Sequence, residues 1–160
     1  MRSHLLNRSR NRQPQKGRLR IKQFWRHIMT DMPEIVIRML KHPDTNKCLA
    51  TISPDGTAHP IVCGSLTVTE PDTVIFGEVF ANQTVANLER DPRAEFLVWK
   101  GREGYTIKAT ATARIDTGPI FDKMNQLLSR MNMHVKAVWV FKAEEVLDAS
   151  ATNQAGTKVA

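Results

Sequence analysis

The most chemically suggestive stretch of the chain is Glu78-Val79-Phe80-Ala81-Asn82-Gln83-Thr84, where a strand pattern feeds directly into a helix start. A helix N-terminus leaves main-chain N–H groups unpaired at the positive end of the helix dipole, so a phosphate can dock there. The Thr84 hydroxyl and the Asn82 and Gln83 amides would add neutral donors. A plain helix cap reads the same way from these residues alone. No nucleophile elbow, phosphate-cradling glycine loop, zinc spacing or carboxylate pair is readable, so catalytic residues stay unassigned. His4, His27, His42, His59 and His134 are scattered, and no metal is expected. Cys48 and Cys63 each lie in an apolar, strand-like stretch, as the buried reduced thiols of a cytoplasmic protein do.

The elements that must position this segment begin at Met29. Val36, Met39 and Leu40 give a first helix an apolar face, with Asp31 as its cap and Pro33 in its first turn. Cys48–Ser53 and Thr57–Gly64 read as strands about the Pro54-Asp55-Gly56 turn, and Pro60 implies an edge or a bulge. Ser65–Thr69 continues as a strand, and Thr73–Glu78 follows the turn at Glu70-Pro71-Asp72. A short helix after Asn82 ends at Asp91-Pro92. Ala94–Lys100 and Gly104–Ile115 form two further strands; the second alternates Thr106, Lys108, Thr110, Thr112 and Arg114 with apolar residues. Gly118-Pro119 starts the clearest helix, with Ile120, Met124, Leu127, Leu128 and Met131 in one stripe. Lys136–Lys142 is an apolar strand, buried on both faces, and Glu144–Asp148 a last turn. Roughly seven strands with few helices predict a mainly β fold, an antiparallel barrel capped by helices.

The 160 residues carry a net charge of +7, but unevenly. Residues 1–28 hold nine Lys/Arg and no acid, which leaves 14 bases against 16 acids in the remainder, a net of −2. The expected organisation is a basic, disordered extension over 1–28, a domain over 29–148 and a frayed tail over 149–160. The extension reads as an inert or upstream-start segment, a basic arm for nucleic acid or lipid, or a targeting segment interrupted by Pro14 and Gly17. Because the excess charge is confined there, the domain itself is not expected to bind nucleic acid. No apolar run approaches the ~18 residues of a membrane helix, so no membrane span is expected.

Several fragments in fixed order carry a resemblance: Leu49-Ala50-Thr51, Asp55-Gly56, Pro60…Gly64-Ser65, Asn82-Gln83-Thr84-Val85-Ala86-Asn87-Leu88…Asp91-Pro92, Val98-Trp99…Gly104-Tyr105-Thr106-Ile107-Lys108 and Gly118-Pro119-Ile120-Phe121. Over about Pro33 to Asp148 the chain resembles the pyridoxamine 5′-phosphate oxidase-like FMN-binding split barrels, most of all their short single-domain members. That resemblance implies a six- to seven-stranded split β-barrel and a homodimer with one FMN per subunit in an interface cleft. The strand matching Ile61-Val62-Cys63-Gly64-Ser65 would lie along the isoalloxazine ring; the same residues also suit an ordinary strand interior. The segment from Glu78 and Val79 through Phe80 to Thr84 would carry the ribityl chain and phosphate.

Where the family usually has Gly-Lys-Thr-Arg, with Lys and Thr on the phosphate, this chain has Gln83 and Thr84, then Val85 at the Arg place. Gln removes a charge-assisted hydrogen bond. Lys108 could compensate, or be a solvated strand residue. Trp99 and Tyr105 suit ring stacking as well as core packing. The function implied is that of a flavin-dependent oxidoreductase or electron-transfer protein, the cofactor supplying the redox chemistry. The alternative is a non-catalytic barrel that binds flavin, haem or deazaflavin. Pyridoxamine phosphate oxidase activity itself is not expected, because no Arg/His-rich carboxy-terminal segment is present to hold a second phosphate.

Overall fold

The computed structural model describes residues 29–160, so the expectations for the basic extension lie outside the described residues. Thr30 and Met32 donate main-chain bonds to Ala143 and Pro71 (both 2.9 Å), laying the entry strand-like against the sheet. Helix α1 (Glu34–Lys41) therefore starts after Pro33, with no side-chain cap, and Asp31 does not play the capping part its position suggests. Then come β1 (Asn46–Ile52), β2 (Ala58–Val62), β3 (Thr67–Glu70), β4 (Thr73–Glu78), α2 (Asn82–Arg90), β5 (Arg93–Lys100), β6 (Glu103–Ile115), α3 (Pro119–Ser129) and β7 (Ala137–Asp148). This is the helix and strand order the sequence predicts.

The seven strands form one antiparallel sheet in the order β2-β1-β5-β6-β7-β4-β3. The long strands β6 and β7 are its spine. The first part of β6 pairs with β5, while β7 pairs with β6 along most of its length and gives its Ala137–Lys142 stretch to β4. Register shifts at Lys108/Ala109 and Ala111/Ala113 bend β6 between these two duties, as bulges do. The sheet curls around a core that includes Leu49, Phe96, Val98, Ile107, Phe141 and Val146, with Phe96 and Phe141 in an edge-to-face contact of 5.0 Å. The result is the split-barrel architecture, mainly β with capping helices.

Four local expectations need correction. Ser65 does not continue a strand: the chain turns through Cys63–Leu66, because it must cross from one sheet edge to the other. Glu144 and Glu145 do not form a turn. They extend β7, since each finds a partner on β6: Thr110 Oγ1 donates to Glu144 (2.5 Å) and Lys108 to Glu145 (2.7 Å). Residues 149–160, expected to fray, fold back on β7. Val146 donates to the Ala160 carbonyl and Val159 to that of Val146, both at 2.8 Å, and Ala160 packs on the core. Finally, the α3 stripe is only partly covered. Met124 and Leu128 pack against Ile75 and Val138 on the outer side of β4 and β7, whereas Leu127 and Met131 stay about half exposed. A stripe of that width covers more than one helix flank, and only one flank meets the sheet. Close docking of α3 needs Gly77, where a Cβ would come within 3.1 Å of Met124 Cγ.

Candidate functional site

The free edge of β2 is the first part of the site. Cys63 donates its N–H to the Lys47 carbonyl (3.0 Å), and Ser53 donates to Thr57 (2.8 Å) at the other end of the hairpin. In an antiparallel pair, residues bonded to the partner alternate with residues whose groups point away. The odd-numbered residues of β2 therefore bond β1, and Ala58, Pro60 and Val62 turn their main-chain groups outward. Among the described residues no strand lies beyond them. Pro60 has no N–H to offer there, as its choice of an edge position requires. The Val62 side chain is 90% exposed, a high value for an aliphatic residue.

The second part is the corner where β4 passes into α2. Glu78 follows Val74 and Phe76 on the interior face of β4 and is buried at the end of the barrel. Its carboxylate accepts two bonds from Arg114 (2.9 and 3.0 Å) and one from the Trp139 indole (3.0 Å). Burial pushes the Glu78 carboxyl up, but the Arg114 and Trp139 bonds together outweigh it and hold it below the ordinary range. Val79 packs toward α3, and Phe80 is 83% exposed. The two parts meet through Ser65, whose hydroxyl donates to the Gly77 carbonyl (3.0 Å) from the β2–β3 turn. Ser65, at the end of the Ile61–Ser65 segment, thus touches β4 one residue before Glu78, and Val62 and Phe80 are the exposed large apolar residues of the two segments.

Within α2 the polar side chains do different things. Asn82 is exposed, and its N–H bonds the Phe80 carbonyl (3.1 Å). Gln83 donates its amide to Asn87 (3.0 Å), and buried Asn87 donates in turn to Thr51 of β1 (3.0 Å), so this chain of bonds docks the helix. Thr84 has 0% exposure, and its hydroxyl has no partner among the described residues. Such a hydroxyl is not presented to a ligand on the surface. The Glu78–Arg114–Trp139 cluster was not legible as a unit in the sequence. Its only signal was the run of polar residues on β6 that ends at Arg114.

Lys108 lies elsewhere. It pairs with Glu145 (2.7 Å) and lines a shallow depression of about 310 Å³ beside Ala50, Ala58, Glu95 and Glu144, which none of residues 61–65 or 78–84 lines. Tyr105 donates to Glu103 (3.1 Å), and Trp99 is half-buried at the β5–β6 hairpin. Burial pushes the Cys63 thiol up to about 11, so it is not a thiolate nucleophile near neutral pH. Among the described residues no His/Cys/Asp/Glu group is arranged to hold a metal, and no helix is long and apolar enough to cross a membrane.

HupZ of Group A Streptococcus superposes with a TM-score of 0.67 at 17% identity, covering 79% of this chain and 98% of its own. An FMN-binding protein from Syntrophomonas wolfei gives 0.62 at 23%, covering 86% and 100%. An F420 reductase gives 0.55 at 15%, covering 68% and 93%. At these identities the likeness is one of fold. No protein of curated function matches the chain in sequence. Residues 40–152, however, match the family described as pyridoxamine 5′-phosphate oxidase. With that match spanning most of the sequence and the split barrel in place, the chain belongs to the pyridoxamine 5′-phosphate oxidase-like family.

Proposed function

We propose that the protein binds a flavin, FMN in the family's manner, and serves as a cytoplasmic oxidoreductase or electron carrier. The observation that carries this reading is the outward main chain of β2. A flavin ring carries a polar edge with both donors and acceptors, and Val62 offers one free N–H and one free carbonyl beside exposed apolar side chains. Ile61–Ser65 would hold the ring and Val79–Gln83 its chain, with Glu78 fixing the corner from behind. When bound, the flavin supplies hydride and electron chemistry, and the protein orients it and excludes water.

Exposed Val62, Phe80, Leu127 and Met131 favour a homodimer that covers apolar surface and encloses the ring. The second reading keeps the same site as a non-catalytic carrier of flavin, deazaflavin or haem, and Gln83 in place of a phosphate cation favours it. The absorption spectrum and mass of the copurifying small molecule test the proposal. Oxidised-flavin maxima that bleach with a reduced nicotinamide support the enzyme, and bound flavin that no reductant bleaches supports the carrier. Colourless protein whose titration with FMN gives no fluorescence quenching overturns both flavin readings.

A further inference from the structure

Resting on the flavin reading for the identity of its neighbour, we propose that Lys47 is an anion receptor beside the ring, so that the small molecule meeting the flavin carries a phosphate or a carboxylate. Among the described residues two cationic side chains are half-buried rather than exposed, Lys47 and Lys142. Lys142 is fully engaged: its amine donates to both oxygens of Asp72 (2.8 and 3.0 Å) and to Thr73 (2.6 Å). Lys47 has no acid. Its amine donates to the Leu66 carbonyl (3.2 Å), and no carboxylate of the described residues pairs with it. Residues 1–28 contain no Asp or Glu, so they offer it no side-chain carboxylate either. Burial pushes the Lys47 amine below the usual lysine range, the mark of a cation partly withdrawn from water. Such a group costs stability unless a counter-ion joins it, and groups of this kind cluster at functional sites.

Its place in the fold says which anion. Lys47 clasps the turn that ends the ring-holding segment: its carbonyl accepts the Cys63 N–H (3.0 Å), and its amine bonds Leu66. Val62 immediately precedes that turn, and Ser65 within it is tied to Gly77. The Cys63 thiol, pushed up to about 11 by burial, is neutral near pH 7 and gives the amine no counter-charge. An ammonium has three donors, so two remain for a ligand, and an oxyanion takes them in charge-assisted bonds. Lys47 stands at the Ile61–Ser65 end of the proposed site, not at the start of α2. The anion therefore belongs to the molecule that meets the ring. A flavin lying the other way round would bring its own phosphate to the same amine.

The test loads the full chain with riboflavin and titrates it at low salt with inorganic phosphate and with acetate, read by the flavin absorption bands. The expected result is a saturable shift whose dissociation constant rises at least about tenfold in Lys47→Met and less in Lys47→Arg, which keeps the charge. Lys136→Gln, at an exposed lysine on the Glu78 corner, should leave it unchanged. Bands that stay still, together with an FMN preference over riboflavin that Lys47→Met abolishes, keep the receptor but make the flavin phosphate its anion. If Lys47→Met alters neither the shift nor that preference, the inference is overturned and the flavin reading stands. The Lys47 Cε resonance gives a readout that needs no flavin. It should move when phosphate is added, and a resonance fixed in both free and loaded protein also overturns the inference. If no flavin binds at all, the flavin reading falls, and the lysine resonance alone decides whether the receptor survives.

Discussion

Inside the barrel, Phe96 and Phe141 meet edge to face among Leu49, Val98, Ile107 and Val146, none of them exposed. At the β4–α2 corner, a comparable degree of burial is achieved with Glu78, Thr84, Asn87 and Thr51. The two regions are stabilised differently. An apolar side chain contributes about 1.5–3 kcal/mol on burial without regard to direction. A hydrogen bond contributes about 1 kcal/mol net, but only in one geometry. The interior therefore supplies stability, and the corner supplies position: it fixes where β4 ends, where α2 begins and where Phe80 stands.

That contrast can be broken at four points. Phe141→Ala should cost about 3–5 kcal/mol in urea unfolding, yet leave the flavin affinity of the folded protein unchanged; a matching loss of affinity would show that the interior also sets the corner. Glu78→Gln should cost about 1.5 kcal/mol, the low end for a charged pair because Arg114 is partly exposed. It should also weaken ligand binding, since the corner loosens. The acid limb gives a second readout. The unfolded chain binds a proton at Glu78 more readily than the folded one, so this pair stabilises above the ordinary glutamate value of about 4.3. Its contribution is lost as pH falls below that value, toward the depressed folded pKa. Glu78→Gln should flatten that part of the stability profile; an unchanged profile would mean the ion pair is not formed in solution.

Smaller effects sharpen the comparison. Thr84→Val replaces an unpartnered hydroxyl with a methyl of the same shape and should raise stability by up to about 1 kcal/mol. Flavin affinity should stay constant, and a weakened affinity would place Thr84 on the ligand after all. Leu127→Asp should change the chain's own stability by no more than about 0.5 kcal/mol, because the residue is half exposed. Its effect should appear in sedimentation as loss of the proposed dimer; a dimer that persists in the variant would move the interface off α3.

Much of the fold was legible because its signals are periodic. Alternation along β6, the β1–β2 turn at Pro54-Asp55-Gly56 and the α3 stripe all report local geometry. The errors arose where a distant partner decides. Glu144 and Glu145 look like turn residues until Thr110 and Lys108 lie opposite, and residues 149–160 look unsupported until Ala160 reaches Val146. In the candidate site, the segment Glu78–Thr84 was legible as a strand-to-helix junction. The engagements of its side chains were not. Gln83 is the clearest case: its role depends on Asn87, one turn along α2, and on Thr51, far away in sequence.

Pro60 carries a last consequence. An open strand margin is an invitation to any passing polypeptide, which would zip onto it rung by rung and lead to aggregates. A missing rung midway along β2 spoils that extended ladder, since an intruding chain needs several consecutive bonds to hold. A flat heterocycle would need only one or two, which in the proposed site Val62 would supply just past the gap. The same imino acid would then guard the margin against protein while leaving it open to a small molecule.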